Sequence, residues 1–233
     1  MSHNSEKIFE DISDNYALQG GFKGAKYLLE KSWKIYLDYF LEYFTLLGGG
    51  GKKLLDVGCG AAIVSKKMVE RDFNVFGVDF SSEVIKIARQ YCPEADFKKS
   101  YTYKLPFPDE MFDIVICLGV FQTIIEPEKA LDEMTRVLKK GGVIIIRTLN
   151  SFRPFSLDLT KGDKVFNPFQ FKKLLRKRNF KNINIKGIYI FPNVVGFLNN
   201  LILKMKIYNI FNILYVPFFI FISHSFYIEA KKQ

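Results

Sequence analysis

The first chemical signal in this chain comes from two carboxylates and two glycines. Asp56 stands two positions before Gly58, and Gly58-Cys59-Gly60 closes the apolar run that begins at Leu54. Glycines at a strand-to-helix turn let the backbone approach a ligand closely. Asp79 follows 23 residues after Asp56, at the end of a second apolar run. A carboxylate at the tip of the second strand of a nucleotide-binding α/β unit can accept the protons of both ribose hydroxyls. The spacing also excludes ligands. A dinucleotide fingerprint needs a third glycine where Ile63 stands, and a phosphate loop needs Ser or Thr where Lys53 stands and a glycine where Leu46 stands. Cys59, Cys92 and Cys117 form no CxxC pair, and the only histidines are His3 and His224, so no metal set is expected. Cys59 reads as the variable residue inside Gly-x-Gly, and His224 as a structural or exposed residue ahead of the last strand. Unpaired cysteines fit a reducing cytoplasm, and the polar start of the chain carries no apolar leader run.

Those residues need elements to hold them. Strands are predicted over 53–57, 74–78, 112–117, 143–147, 181–190 and 225–231 from their apolar and β-branched runs. Helices are predicted over 61–71, 82–91 with Ser81 or Ser82 as cap, 128–138 ending at Gly141-Gly142, and from Asn167-Pro168 to about Arg178 with Asn179 as a left-handed cap. Strand–helix alternation implies a mostly parallel sheet with right-handed crossovers. Residues 1–47 read as an N-terminal helical cap, with Trp33, Leu37, Phe40, Leu41 and Phe44 at helical spacing. Residues 48–233 read as one domain carrying an apolar insert at 192–222.

The chain has 233 residues and a net charge of +10. Residues 1–150 hold 20 basic and 21 acidic residues; residues 151–233 hold 14 and 3, a net +11. The excess therefore sits in the region that is also the most apolar, since no residue from Ile207 to Ile228 carries a formal charge. That pairing speaks for a lipid-like ligand or a membrane surface and against nucleic acid. The apolar run is long enough to cross a bilayer, but Asn209, Asn212 and Pro217 interrupt it and its end is needed as a strand. A lid, a dimer surface and a peripheral contact at the inner face of a membrane remain open. The basic helix has a plain alternative as a solvated outer face.

Leu54-Leu-Asp-Val-Gly-Cys-Gly60 resembles motif I of the class I S-adenosylmethionine-dependent methyltransferases. Leu105-Pro-Phe-Pro-Asp-Glu-Met-Phe-Asp-Ile-Val-Ile-Cys-Leu-Gly-Val120 and the EPEKALDEMTRVLKKGGVIII stretch after it resemble the ubiquinone/menaquinone-type, methyltransferase-11 branch. The resemblance covers about residues 50–190 and the last strand. It implies a Rossmann-like, seven-stranded, mostly parallel sheet with an antiparallel last strand, helices on both faces and an apolar lid insert between strands six and seven. It implies S-adenosylmethionine as cofactor, held by Asp56, Gly58, Gly60, Asp79, Phe80, Tyr101, Thr102, Leu118 and Gly119. Gln122 and Tyr16 are expected near the methyl group, Tyr16 as the N-terminal Tyr that covers the cofactor in relatives.

Several positions depart from the family pattern. Ala62 replaces the third glycine of motif I, and its methyl is expected to crowd the cofactor slightly. Tyr101 stands where an acid contacts the adenine amino group. Gln122 and Thr123 stand where the family often has two histidines, which removes an imidazole base. The expected activity is methyl transfer to a small, apolar or amphiphilic acceptor, with a non-catalytic protein of this fold that binds a membrane or partner as the alternative.

Overall fold

The computed structural model describes residues 48–152, 164–188 and 225–233. The N-terminal cap 1–47 with Tyr16, the apolar insert 192–222 and His224 lie outside the described residues. Twelve elements follow one another within them: β1 (Lys53–Val57), α1 (Ile63–Val69), β2 (Asn74–Asp79), α2 (Ser82–Tyr91), β3 (Asp96–Lys99), β4 (Phe112–Leu118), a 3-10 turn (Phe121–Thr123), α3 (Pro127–Val137), β5 (Leu138–Leu149), α4 (Pro168–Arg176), β6 (Phe180–Ile188) and β7 (Ser225–Lys232). They build one seven-stranded sheet in the order β3-β2-β1-β4-β5-β7-β6. β1, β2, β3, β4 and β5 pair in parallel, and β7 runs antiparallel between β5 and β6.

Alternation along the central strands sets the two layers. Leu55, Val57, Val115, Cys117, Ile144 and Ile146 face α3 and α4, where Leu131, Met134, Phe171 and Leu175 are buried. Leu54, Ile114, Ile116 and Ile145 face α1, where Val64 and Met68 are buried. Helices thus cover both faces, which is why the β4 run VIC shows no polar alternation. Helix α4 turns Phe171 and Leu175 inward and keeps Lys173, Arg176 and Lys177 exposed, so most of its charge lies on the solvent side.

Three boundaries differ from the sequence reading. Helix α3 ends at Val137, and β5 starts at Leu138 and runs through Gly141-Gly142 rather than after them. Its pairing with β4 shifts register between Phe112 and Ile114, and Gly141 has φ +76°, so the glycines form an irregularity inside a strand. Strand β3, only four residues long and reading Asp-Phe-Lys-Lys, has a single buried apolar side chain and gives no run to detect. Helix α1 is trimmed to Ile63–Val69. The cap at Ser81 is as predicted, its hydroxyl accepting from Val84 N at 3.3 Å, and Asn179 adopts φ +61°.

The loop before β4 is fastened from α3. Arg136 reaches the carbonyls of Leu105 and Phe107 at 3.1 and 2.9 Å and the Asp109 carboxylate at 2.7 Å, while Glu133 accepts from Leu105 N at 2.7 Å. This ties the crossover from β3 to β4 onto the last turn of α3.

Candidate functional site

The site lies where strand order reverses. β1 leads to β2 on one side and β4 lies on the other, so the loops leaving their carboxyl ends diverge and leave a crevice. Gly58, Cys59 and Gly60 leave β1 here. Gly58 N and Cys59 N both donate to Val78 O, at 2.8 and 3.0 Å, Gly60 N donates to Asp79 Oδ2 at 3.2 Å, and Ala62 N donates to Cys59 O at 3.0 Å. These amides are satisfied inside the protein, so they are not free to cradle a phosphate. What the loop offers a ligand is bare backbone surface. A Cβ on Gly60 would meet nothing within 4 Å, so that face is open. A Cβ on Gly58 would stand 2.6 Å from a Val120 methyl, and φ there is +76°. Gly58 therefore lets β1's loop and β4's loop close on each other.

The two acidic residues have different places. Asp79 is half-buried at the tip of β2; Oδ2 takes Gly60 N and Oδ1 takes Ser81 N at 3.0 Å, leaving the second lone pair of each oxygen for a diol. Asp56 is only 3% exposed, and its Oδ2 accepts the Ser65 hydroxyl at 2.7 Å. Through that bond it braces α1 beneath the loop. Burial pushes its carboxyl up to about 7, against the lowering effect of the Ser65 hydrogen bond and with a smaller push from Asp79. Burial likewise pushes the Cys59 and Cys117 thiols far up, and Cys92 up to about 11, so none of them is a nucleophile.

Ala62 departs from expectation. It holds φ +65° at the start of α1, the conformation a glycine would take there, but its methyl is fully buried in a cluster with Cys59, Ile85, Ala88 and Phe97. It packs under the loop and does not crowd the crevice.

Aromatic surface flanks Asp79. Phe80 is 69% exposed and Tyr101 54%, the latter stacked on Tyr103 with ring centroids 5.3 Å apart. Thr102 is half-buried between them in the chain. Beyond β4, Leu118 and Gly119 line the other wall; Gly119 has φ +74°, and a Cβ there would stand 3.1 Å from Arg147 Nη1. Gln122 Nε2 donates to Gly119 O at 2.7 Å, which pins the amide to that loop, and its buried Oε1 has no partner.

The residues that bind the crevice together across long separations escape sequence reading. Ser65, Val120 and Arg147 act through the contacts just given. Lys164 donates from its backbone to Gln122 O at 2.8 Å and from Nζ to the carbonyls of Ile124 and Ile125. A run of four residues pinned from 40 positions away leaves no local pattern. Among the described residues no group of three or more metal-ligating side chains converges, and no helix is long and apolar enough to cross a membrane.

Residues 55–146 match the family described as "Methyltransferase domain". The chain is 30% identical over 150 residues to a ubiquinone biosynthesis O-methyltransferase of Aliivibrio fischeri, covering 62% of each chain. It is 25% identical over 207 residues to the protein of that name from Vibrio atlanticus, covering 80% of this chain and 85% of the relative. The first of these matches spans less than two thirds of the relative's length. A SAM-dependent methyltransferase structure from Archaeoglobus fulgidus superposes with TM-score 0.63 at 20% identity, over 87% of this chain and 94% of that one. The [4+2]-cyclase SpnF superposes with TM-score 0.61 at 22% identity, over 84% and 80%. At these identities the superpositions establish the fold.

Proposed function

We propose that the chain is a class I S-adenosylmethionine-dependent methyltransferase of the methyltransferase-11 branch and transfers a methyl group from that cofactor to a small, ring-bearing, apolar acceptor. One observation carries the reading: Asp79, tied to the open Gly60 backbone at 3.2 Å, sits beside exposed Phe80 at the switch point of the sheet. When bound, the cofactor supplies a methyl on a sulfonium, already activated for in-line displacement.

The residues fit the cofactor. The engaged amides of the Gly58–Gly60 loop suit an uncharged adenosyl-thioether surface better than a pyrophosphate. Asp79 keeps lone pairs for the ribose hydroxyls, and Phe80 and Tyr101 offer ring faces to the base. Leu118 and Gly119 form the opposite wall, and Thr102 lies beside Tyr101. Catalysis is by proximity: the rigid loops hold acceptor and methyl in line.

Gln122 presents a buried, unpartnered Oε1 that can accept a hydrogen bond from an acceptor hydroxyl, although an amide cannot take its proton near neutral pH. An acceptor that ionises without a strong base suits such a site, and a phenol, with a pKa of about 10, does so more readily than an alcohol. With relatives named for ubiquinone biosynthesis O-methylation, we favour a phenolic hydroxyl on a quinone-related ring. Tyr16 retains its proposed place over the cofactor. Three buried, unpaired thiols favour a reducing cytoplasm.

Calorimetric titration with S-adenosylmethionine tests the reading. We expect saturable binding, weakened at least tenfold by Asp79→Ala; no binding at millimolar cofactor overturns it. Transfer of labelled methyl to a prenylated catechol tests the acceptor. The second reading, a non-catalytic protein of this fold, draws on Gln122 and Thr123 standing where an imidazole base is lost. It predicts cofactor binding without methyl transfer to any phenol offered.

A further inference from the structure

At the far corner of the sheet from the glycine loop lies a cleft of about 490 Å³. It is lined by Lys172 and Arg176 of α4, Asn179 of the following turn, and Phe180, Lys181, Asn182 and Ile183 of β6, with Gln233 closing the rim through its amide to Asn179 O at 3.0 Å. β6 is the edge strand, and Phe180 pairs with Lys232 at the end of the sheet opposite the cofactor crevice. We propose that this cleft binds a phosphate-bearing small molecule, at a site separate from the methyl-transfer crevice.

Charge is the first argument. Lys172, Arg176 and Lys181 line one cavity, where the α-carboxylate of Gln233 is the only negative group set against them and no acidic side chain joins it. None of the three takes part in any ion pair among the described residues, whereas Arg178, two residues beyond Arg176, is satisfied by Asp132 at 2.6 Å and Glu128 at 3.5 Å. Lys172 and Arg176 are four apart on one helix face, an arrangement of like charges that disfavours the helix unless an anion lies between them. Three cations call for a ligand of two or more negative charges, and the Arg fork matches phosphate oxygens in pairs.

Shape is the second argument. β6 shifts register against β7 between Lys181 and Asn184, and Asn182 and Asn179 hold φ +49° and +61°. The bulge turns the edge away from the flat sheet and opens the concavity between it and α4. Its volume lies within the range of about 300–1,000 Å³ usual for small-molecule sites, larger than a bare phosphate needs. The buried ring of Phe180 and the partly buried Ile183 give it an apolar floor, so an organic phosphoester fits better than the inorganic ion.

The test uses the full chain at 0.15 M salt. Inorganic pyrophosphate is the soluble probe, and phosphatidylglycerol vesicles, against phosphatidylcholine vesicles, probe a lipid headgroup. Lys172→Gln/Arg176→Gln/Lys181→Gln empties the cleft of charge, and Lys140→Gln/Lys173→Gln/Lys177→Gln removes the same charge from exposed positions outside it. We expect sub-millimolar pyrophosphate binding that falls at least tenfold in the cleft variant and less than twofold in the control. The same pattern seen only with phosphatidylglycerol vesicles keeps the site and assigns the phosphate to a lipid headgroup. Equal losses in both variants, or no binding to either probe, overturn it. Cofactor affinity stays within twofold in both variants, which verifies the fold and keeps this result independent of the methyl-transfer reading.

Discussion

The two flanks of the sheet differ in how many of their cations face a carboxylate. On the β3-β2-β1 flank three lysines are paired: Lys66 with Glu94, Lys67 with Glu70, Lys98 with Asp96. The loops there are shaped by left-handed glycines and closed by backbone hydrogen bonds. On the β7-β6 flank with α4, Lys172, Lys173, Arg176, Lys177 and Lys181 have no ion-pair partner among the described residues. The lesson is that the net +10 is not a property of the molecule as a field. Among the described residues its unpaired share gathers along α4 and β6, while the glycine loop offers neutral backbone beside the Asp79 carboxylate.

The largest expected effect tests whether the glycine flank offers bare backbone to its ligand. In Gly60→Val a side chain would enter open space, so packing is spared while the crevice is filled. The φ of +53° adds strain of roughly 1–2 kcal/mol. Cofactor affinity should fall about a hundredfold, equivalent to ~2.7 kcal/mol, with the circular dichroism spectrum retained. A variant that still binds within fivefold would show that the ligand does not rest on Gly60.

Next comes the buried carboxylate. With Asp56 raised to about 7 against 3.8 in the unfolded chain, the folded state holds the proton that the unfolded state releases between those values. Stability from this group is therefore greatest below pH 4, falls as pH rises to 7 and is flat above. Asp56→Asn removes the ionisation and keeps an oxygen for Ser65. The variant should match the parent near pH 4 and exceed it at pH 8 by on the order of 4 kcal/mol, read from urea unfolding at the two pH values. A pH-independent difference between the two proteins would contradict the buried, neutral carboxyl.

Asp79 and Asp56 also show how far the sequence carries. The sequence marks both as acids at strand ends, and the order of elements that makes them neighbours follows from strand–helix alternation. It does not separate their burial, which depends on Ser65 from α1 covering one and on β2 ending at the surface under the other. Helix α3 and strand β5 were legible as elements, yet their junction was misplaced: Gly141-Gly142 reads as a stop and is in fact an irregularity within a strand. β3 is invisible because one buried Phe97 in four residues makes no pattern. Arg147 at Gly119 and Lys164 on the Gln122 loop are tertiary contacts, and nothing local in the sequence announces them.

Within the basic flank, paired and unpaired cations give a smaller contrast. Arg178 is mostly covered and bonded to Asp132 and to the Leu174 carbonyl at 3.2 Å, so Arg178→Ala should lose about 1–2 kcal/mol through the charge-assisted bonds and the stem packing. Lys177→Ala, exposed and without a salt bridge, should stay within about 0.5 kcal/mol of the parent. Equal losses in thermal unfolding would mean that the flank's charges act as one field after all.

The smallest effect concerns Ala62, and it decides how the glycine flank meets its ligand. Its left-handed backbone costs roughly 1–2 kcal/mol relative to a conformation alanine prefers. Replacing it with glycine removes that strain. The same change gives up a buried methyl, worth about 0.8 kcal/mol, and loosens the unfolded chain by about 0.4–1 kcal/mol. The terms nearly cancel, so Ala62→Gly should shift stability by less than about 1 kcal/mol in either direction. Affinity decides more than stability here. A methyl sealed among Cys59, Ile85, Ala88 and Phe97 cannot touch a ligand in the crevice, so cofactor affinity should stay within twofold. An increase of fivefold or more would place the methyl against the cofactor, and the loop would then have to sit differently on α2 than its buried cluster requires.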